Sequence, residues 1–255
     1  MTQTEDKNSL LYWYPKIKDL GIATPKTEIV LLSEKEKEQY YKIGDCCSGL
    51  SRLEKEIENT INKNFKFPVF IRTDHYSGKH DWTETCYVES FNKLMDNLSG
   101  LIIQTKLINT IFGGLPLNAI VVREFIEMDS KYSAWGGMPV NPERRYFIND
   151  KKVICHHPYW IEEAIMRGTK PFPEDWTNIL ARMNEEAKEE IDLLTSYSEK
   201  VANALDGFWS VDFCKAKDGR WILIDCAEGA RSWHPTCEYA PKQNGRQPIN
   251  GAQTF

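Results

Sequence analysis

The stretch SVDFCKAKDGRWILIDCAEG, residues 210–229, constrains this chain more than any other. Asp218-Gly219 is a strong hairpin signal, because glycine accepts a positive φ without strain. Val211, Phe213, Trp221, Ile222, Leu223 and Ile224 give the flanks strand character. Pairing outward from that turn sets Ala216 opposite Trp221, Cys214 opposite Leu223 and Asp212 opposite Asp225. Directly opposed residues have Cβ atoms roughly 4.5–5.5 Å apart, so two carboxylates would meet among apolar neighbours and repel. Either the register slips and one acid reaches water, or a divalent cation sits between the two. Oxygen-only donors favour Mg2+, with Mn2+ as the alternative, and Mg2+ commonly shares its shell with phosphate. The hairpin therefore asks for a phosphate ligand elsewhere in the chain.

IRTDHYSGKHDW, residues 71–82, offers one. Arg72 falls on a strand and can grip phosphate through two N–H groups. Ser77-Gly78-Lys79 follows in a polar loop, where Gly78 lets the backbone approach an anion and Lys79 adds a point charge. The bland alternative is a solvated loop. Neither a Walker pattern nor a GxGxxG fingerprint is present. A K-x-D-G ligase motif is also absent, because neither Lys215 nor Lys217 has the spacing before Asp218-Gly219.

Along the chain, a strand is expected over 27–32. Ser33 and Glu36 form a capping-box pattern for a helix ending near Gly44. A second helix is expected over 51–62 and a strand over 68–73. Phe91, Leu94, Met95, Leu98, Leu101 and Ile102 then recur at helical spacing. NAIVVREFI reads as a strand, and ERRYFIND and KKVICHH as two more joined at Asn149-Asp150. Leu180, Met183, Ala187, Ile191, Leu194, Val201 and Leu205 predict one long amphipathic helix over 176–205. Mixed helices and short hairpins indicate an α+β fold. Arg145 points inward if Arg144 is solvated, since neighbours alternate on a strand. Arg123 and Glu124 have a bland reading as a surface ion pair.

The 255 residues suffice for one large domain or two lobes. A net charge of -5 argues against general binding to DNA or anionic membranes, although a local basic groove remains open. No apolar run approaches a membrane span, and MTQTEDKNSLLYWYP lacks a basic-then-apolar leader pattern, so a cytoplasmic location is expected. The seven cysteines are Cys46, Cys47, Cys86, Cys155, Cys214, Cys226 and Cys237, with no CxxC. Free thiols in a reducing compartment are the expected state. CHH at 155–157 and HPTC at 234–237 hold metal-ligand residue types, but they lack the paired knuckles of structural zinc, so no zinc site is expected.

The order of these pieces, from about residue 20 to 233, resembles the ATP-grasp superfamily, particularly small stand-alone members of phage and bacterial type. FPVFIRTDHYSGKHDW is similar to the strand and phosphate loop, VVREFIEM to the adenine hinge strand, ERRYFI to the acidic-x-Arg-x-Phe strand, and GFWSVDFCKAKDGRWILIDCAEG to the metal-binding hairpin. The resemblance implies an α+β fold in which two lobes with antiparallel sheets clasp ATP. Residues 1–66 would precede the grasp, 67–125 and 126–240 would form its lobes, and 241–255 would be a loose arm. It implies an ATP-dependent carboxylate–amine ligase that forms ADP through an acyl phosphate. Arg72, Lys79, Arg145 and Arg231 would be catalytic. Arg123, Glu124, Phe125 and Ile126 would join Arg72, Lys79 and Arg145 in binding ATP. Asp212, Asp225 and Glu228 would hold Mg2+. The family usually closes its second metal strand Glu-x-Asn, whereas Asp225-Cys226-Ala227 stands here, so Glu228 or water would supply the missing oxygen. An ATP-binding regulatory module without turnover, or a nucleic-acid-modifying enzyme on the same fold, are the alternatives. Partners would be small-molecule or peptide carboxylates and amines.

Overall fold

A computed structural model describes residues 6–41, 51–168, 172–235 and 237–239. The expected helix end near Gly44, Cys46, Cys47 and the arm 241–255 lie outside the described residues. In chain order the helices are α1 (Leu10–Ile17), α2 (Glu34–Tyr41), α3 (Ser51–Asn64), α4 (Phe91–Phe112), α5 (Glu162–Ile165), α6 (Trp176–Met183) and α7 (Lys188–Ala204). The strands are β1 (Thr27–Leu31), β2 (Val69–Thr73), β3 (Tyr87–Val88), β4 (Ala119–Glu124), β5 (Tyr132–Ala134), β6 (Met138–Val140), β7 (Glu143–Asn149), β8 (Lys152–Pro158), β9 (Trp209–Lys215) and β10 (Trp221–Glu228). Two compact units result. One comprises residues 25–126 and 135–138; the other comprises residues up to 24, 127–134 and from 139 onward.

The first unit is built on an antiparallel sheet of order β1-β4-β2-β3. Alternation along each strand sends Val69, Ile71, Ile120 and Val122 to one face, where they pack with Leu53, Ile57 and Ile61 of α3 and Leu94, Leu98 and Leu101 of α4. The capping box forms as expected: Ser33 N donates to Glu36 Oε2 at 2.8 Å, and Glu36 N donates to Ser33 Oγ at 3.3 Å. Residues 25–66 are no separate segment, because β1 pairs with β4 and α3 packs on the same sheet.

The second unit carries a sheet of order β10-β9-β7-β8, also antiparallel. Helix α7 covers the face bearing Arg144, Tyr146, Val211 and Phe213. The single long helix expected over 176–205 is two helices. Asn184 ends α6 by donating from Nδ2 to Trp160 O at 2.8 Å. Arg144 Nη2 takes the carbonyls of Met183 at 3.1 Å and Glu185 at 2.9 Å, so the chain turns away from its apolar period there. Arg144 is accordingly buried, with Glu190 2.6 Å from its Nε, and not solvated. Helix α1 joins this unit, with Tyr12 stacked on Trp209 at 5.9 Å between ring centroids.

The β9–β10 hairpin departs from the simple register. Its loop is Lys217-Asp218-Gly219, closed by Ala216 N donating to Arg220 O at 2.8 Å, with Gly219 at φ +88°. Trp221 therefore opposes Lys215 and Leu223 opposes Phe213, one residue off the expected pairing. A bulge between Leu223 and Asp225 then absorbs Ile224 and restores Asp225 opposite Asp212. Among the described residues no helix is long and apolar enough to cross a membrane.

Candidate functional site

Both sheets have one helix-covered face and one face opposite the helices, and most of the predicted site residues stand on the latter. In the first unit Phe70 opposes Arg123 and Arg72 opposes Val121, so Arg72 and Arg123 share the face away from α3 and α4. Arg72 is 4% exposed, and its Nε donates to Thr73 O at 3.1 Å. Arg123 is also buried. Its neighbour Glu124 points the other way and accepts from Lys26 N at 2.7 Å through Oε1. Just beyond, Phe125 joins Tyr87 (5.1 Å) and Trp82 (6.3 Å), while Trp82 stacks on Tyr87 at 5.7 Å and lies 5.8 Å from Phe70. Only Phe125 of this half-buried aromatic group is assigned to base binding by the sequence. The others lie far apart in the chain, and only the β2–β3 pairing assembles them.

The loop after β2 is not a solvated polar stretch. Asp74, His75, Tyr76, Ser77 and Gly78 are all buried. Asp74 accepts from Asn118 N and Nδ2, both at 3.0 Å, and from Ala119 N at 3.2 Å. Burial opposes charge on Asp74, but the bonds from His75 and Asn118 outweigh it and hold the carboxyl below the usual carboxylate range. Thr73 Oγ1 accepts from the backbone N–H of His75 and of Tyr76. Gly78 is left-handed at φ +67°, and a Cβ there would lie 2.9 Å from Thr85 Oγ1. Lys79 follows at the start of a 3-10 turn, half-exposed. His80 stacks on Trp135 at 4.9 Å; burial, reinforced by Lys79, pushes its imidazole down to about 4.

In the second unit Arg145 stands directly opposite Asp212 on β9, and Asp212 directly opposite Asp225 on β10. These three side chains share the face away from α7. Arg145 Nε and Nη2 donate to Asp212 Oδ1 and Oδ2 at 2.8 and 2.7 Å, a bidentate pair between residues 2% and 4% exposed. The guanidinium also donates from Nη1 to Trp233 O at 3.1 Å and lies 4.7 Å from the Tyr159 ring centre. Burial works against the Arg145 charge, and Asp212 more than offsets it, holding its pKa above the ordinary value. The first cation beside the opposed acids is thus internal. Asp225 is half-buried, and its Oδ1 accepts from Cys226 N at 3.1 Å.

Two expected ligands stand apart. Glu228 opposes Trp209 on the helix-covered face and bonds Asn8, accepting from Nδ2 at 2.8 Å and donating through its backbone N at 3.1 Å. The strand's alternation separates it from Asp225, so it does not complete an acid set with Asp212. Arg231 lies exposed on a 3-10 turn at Gly229–Arg231. Conversely, the CHH and HPTC groups meet: ligand atoms of Cys155, His157, His234 and Cys237 lie within 4.8 Å of one another. Burial pushes the Cys155 thiol up to about 12 and the His157 imidazole down to about 4.

Two antiparallel sheets built this way place the protein among the ATP-grasp folds. Within that class the chain belongs to an ATP-grasp domain family, the third family of its clade, whose profile matches residues 56–242. The fold is similar to C-terminally truncated Cdc123 from Schizosaccharomyces pombe, with a TM-score of 0.57 and 16% identity over 87% of this chain and 83% of that one. It is also similar to VanG D-Ala:D-Ser ligase from Enterococcus faecalis, with a TM-score of 0.51 and 12% identity over 88% of this chain and 52% of that one. Both likenesses concern the fold. No curated protein matches the sequence.

Proposed function

We propose that the protein is an ATP-dependent carboxylate–amine ligase that forms ADP through an acyl phosphate. The observation that carries this reading is the pair Asp212 and Asp225, opposed on one sheet face beside Arg145, in a chain of the ATP-grasp family. Two opposed carboxylates with oxygen-only donors suit Mg2+, and Asp212 retains lone pairs beyond those used by Arg145. Mg2+ held there would neutralise charge on the terminal phosphates. Arg145 would fix the orientation of Asp212 through both of its oxygens. Arg72 and Lys79 would meet phosphate, and Phe125 with Trp82 and Tyr87 would offer the base an aromatic wall. The substrate carboxylate oxygen would attack the γ-phosphorus, the β–γ bridging bond would break, and ADP would leave. An amine would then attack the acyl carbon, phosphate would leave, and the amine would lose a proton. Positioning and charge supply most of the rate in such chemistry.

Two features favour a second reading, an ATP-binding module without turnover. Ala227 occupies a position that offers no oxygen, and Asp212 already has a full counter-charge in Arg145. One experiment separates the readings. ATP consumption is screened against pooled amino acids, peptides and nucleic acids, with hydroxylamine present. ADP with a trapped hydroxamate supports the ligase. Tight ATP binding without consumption supports the module, and AMP as product removes both.

A further inference from the structure

The geometry points to a structural zinc site formed by Cys155, His157, His234 and Cys237. Cys155 and His157 are two apart on β8 and therefore share one face, the face that also carries Phe147 and Arg145 across the β7 pairing. His234 and Cys237 follow the 3-10 turn at Gly229–Arg231. One donor atom from each residue falls within a 4.8 Å span. Cys155 Sγ is 3.1 Å from His234 Nε2, and Cys237 Sγ is 3.8 Å from the same nitrogen. Tetrahedral zinc at ~2.3 Å from sulfur and ~2.0 Å from nitrogen spaces its ligands roughly 3.3–3.8 Å apart. Small side-chain adjustments satisfy that spacing.

Two further observations distinguish this group from thiols and imidazoles that merely pack together. His234 Nδ1 lies 2.7 Å from Pro235 O, and a carbonyl can only accept. The proton is therefore on Nδ1, and Nε2 carries the lone pair that faces Cys155. A backbone carbonyl that fixes the far nitrogen is the usual support of a metal-bound histidine. His157 Nε2, in turn, is buried and has no hydrogen-bonding partner among the described residues. A buried unbonded imidazole nitrogen is costly, and a metal bond removes the cost. By contrast His156, between the two β8 ligands, faces the other way, stacks on Tyr146 at 4.9 Å and meets Glu186 at 3.0 Å.

Two thiols and two imidazoles select zinc over Mg2+ or Ca2+, and four protein ligands leave no open position for catalysis. Binding is balanced simply: Zn2+ enters, the two thiols each release a proton, and the site is neutral. The ion would clip the segment after β10 to β8, at the far side of the sheet from β10. That segment also supplies Trp233 O to Arg145, so the clip would brace the Arg145–Asp212 pair from behind.

The test is metal analysis of the full chain purified under reducing conditions without a histidine tag. Zinc equimolar with protein is expected. Cys155→Ser and His234→Asn should each lower it to background, while His156→Asn should leave it unchanged. Cobalt exchanged into the native protein should give thiolate charge-transfer bands and tetrahedral d–d bands, a readout that needs no variant to fold. Chelation should lower the unfolding midpoint. Metal-free native protein that takes up neither zinc nor cobalt would overturn the proposal. So would a Cys155–Cys237 disulfide in the isolated chain, or zinc that survives Cys155→Ser.

Discussion

Replacing Asp212 with Asn keeps the side chain's shape and removes one charge from a buried pair. Arg145 would retain one acceptor, the new amide oxygen, and would face an amide N–H with its other donor. It would keep Trp233 O at 3.1 Å and the Tyr159 ring at 4.7 Å. Losing one charge-assisted hydrogen bond costs about 1.5–3 kcal/mol. Leaving a guanidinium buried without its counter-charge brings the loss for breaking such a pair to ~3–5 kcal/mol. The contacts Arg145 retains put the expectation at the lower end, about 3 kcal/mol. Urea unfolding followed by tryptophan fluorescence and by far-ultraviolet circular dichroism would measure it, with coincident curves checking two-state behaviour. The double variant Arg145→Met with Asp212→Leu should lose less than the sum of the single changes, because it leaves no orphaned charge. A loss below about 1 kcal/mol would match an exposed ion pair and refute the reasoning. Asp212→Asn should also abolish the Mg2+-dependent tightening of ATP affinity.

Gly78→Ala should cost about 2–3 kcal/mol, since φ is +67° and the new methyl would lie 2.9 Å from Thr85 Oγ1; an unchanged urea midpoint would contradict this. Asp74→Asn should destabilise by about 2–3 kcal/mol at neutral pH, because an amide cannot satisfy all the donors that converge there. The folded Asp74 pKa is depressed, so its stabilisation is present above the unfolded value near ~3.9 and is lost as pH falls through the lower folded value. The gap between native and variant should therefore narrow below about pH 4, and a gap that widens there would reverse the sign. Lys79→Ala should weaken ATP far more than adenosine in calorimetry; equal losses would place Lys79 away from phosphate.

The hairpin's acids are legible in the sequence through two errors of register that cancel. The Asp218-Gly219 signal locates the turn, but the loop is one residue longer than a two-residue turn, and the Ile224 bulge returns the displaced residue. Nothing in an apolar run marks which residue bulges. The turn expected at Asn149-Asp150 is offset in the same way: the left-handed residues are Asp150 and Lys151, and lysine gives no such signal. The split between α6 and α7 is hidden because the apolar period continues through Ala187, whereas the break is made by Arg144 reaching from β7. Helix α1 is masked by Pro15, which lies inside it. The Cys155–His157 and His234–Cys237 groups fail the knuckle spacing because one pair lies on a strand and the other on a turn, and only sheet order brings them together.

The family profile begins at residue 56, within α3, yet the sheets do not begin there. A piece trimmed to that boundary would lose β1 and bare the backbone donors and acceptors of β4 from Ala119 to Arg123. It would also strip Ala23 O from Leu223 N, Asn8 from Glu228 and Tyr12 from Trp209. An uncovered central strand is a template for pairing between molecules. Expression of the matched region alone should therefore give aggregates, and the useful boundary for recombinant work lies before Asn8.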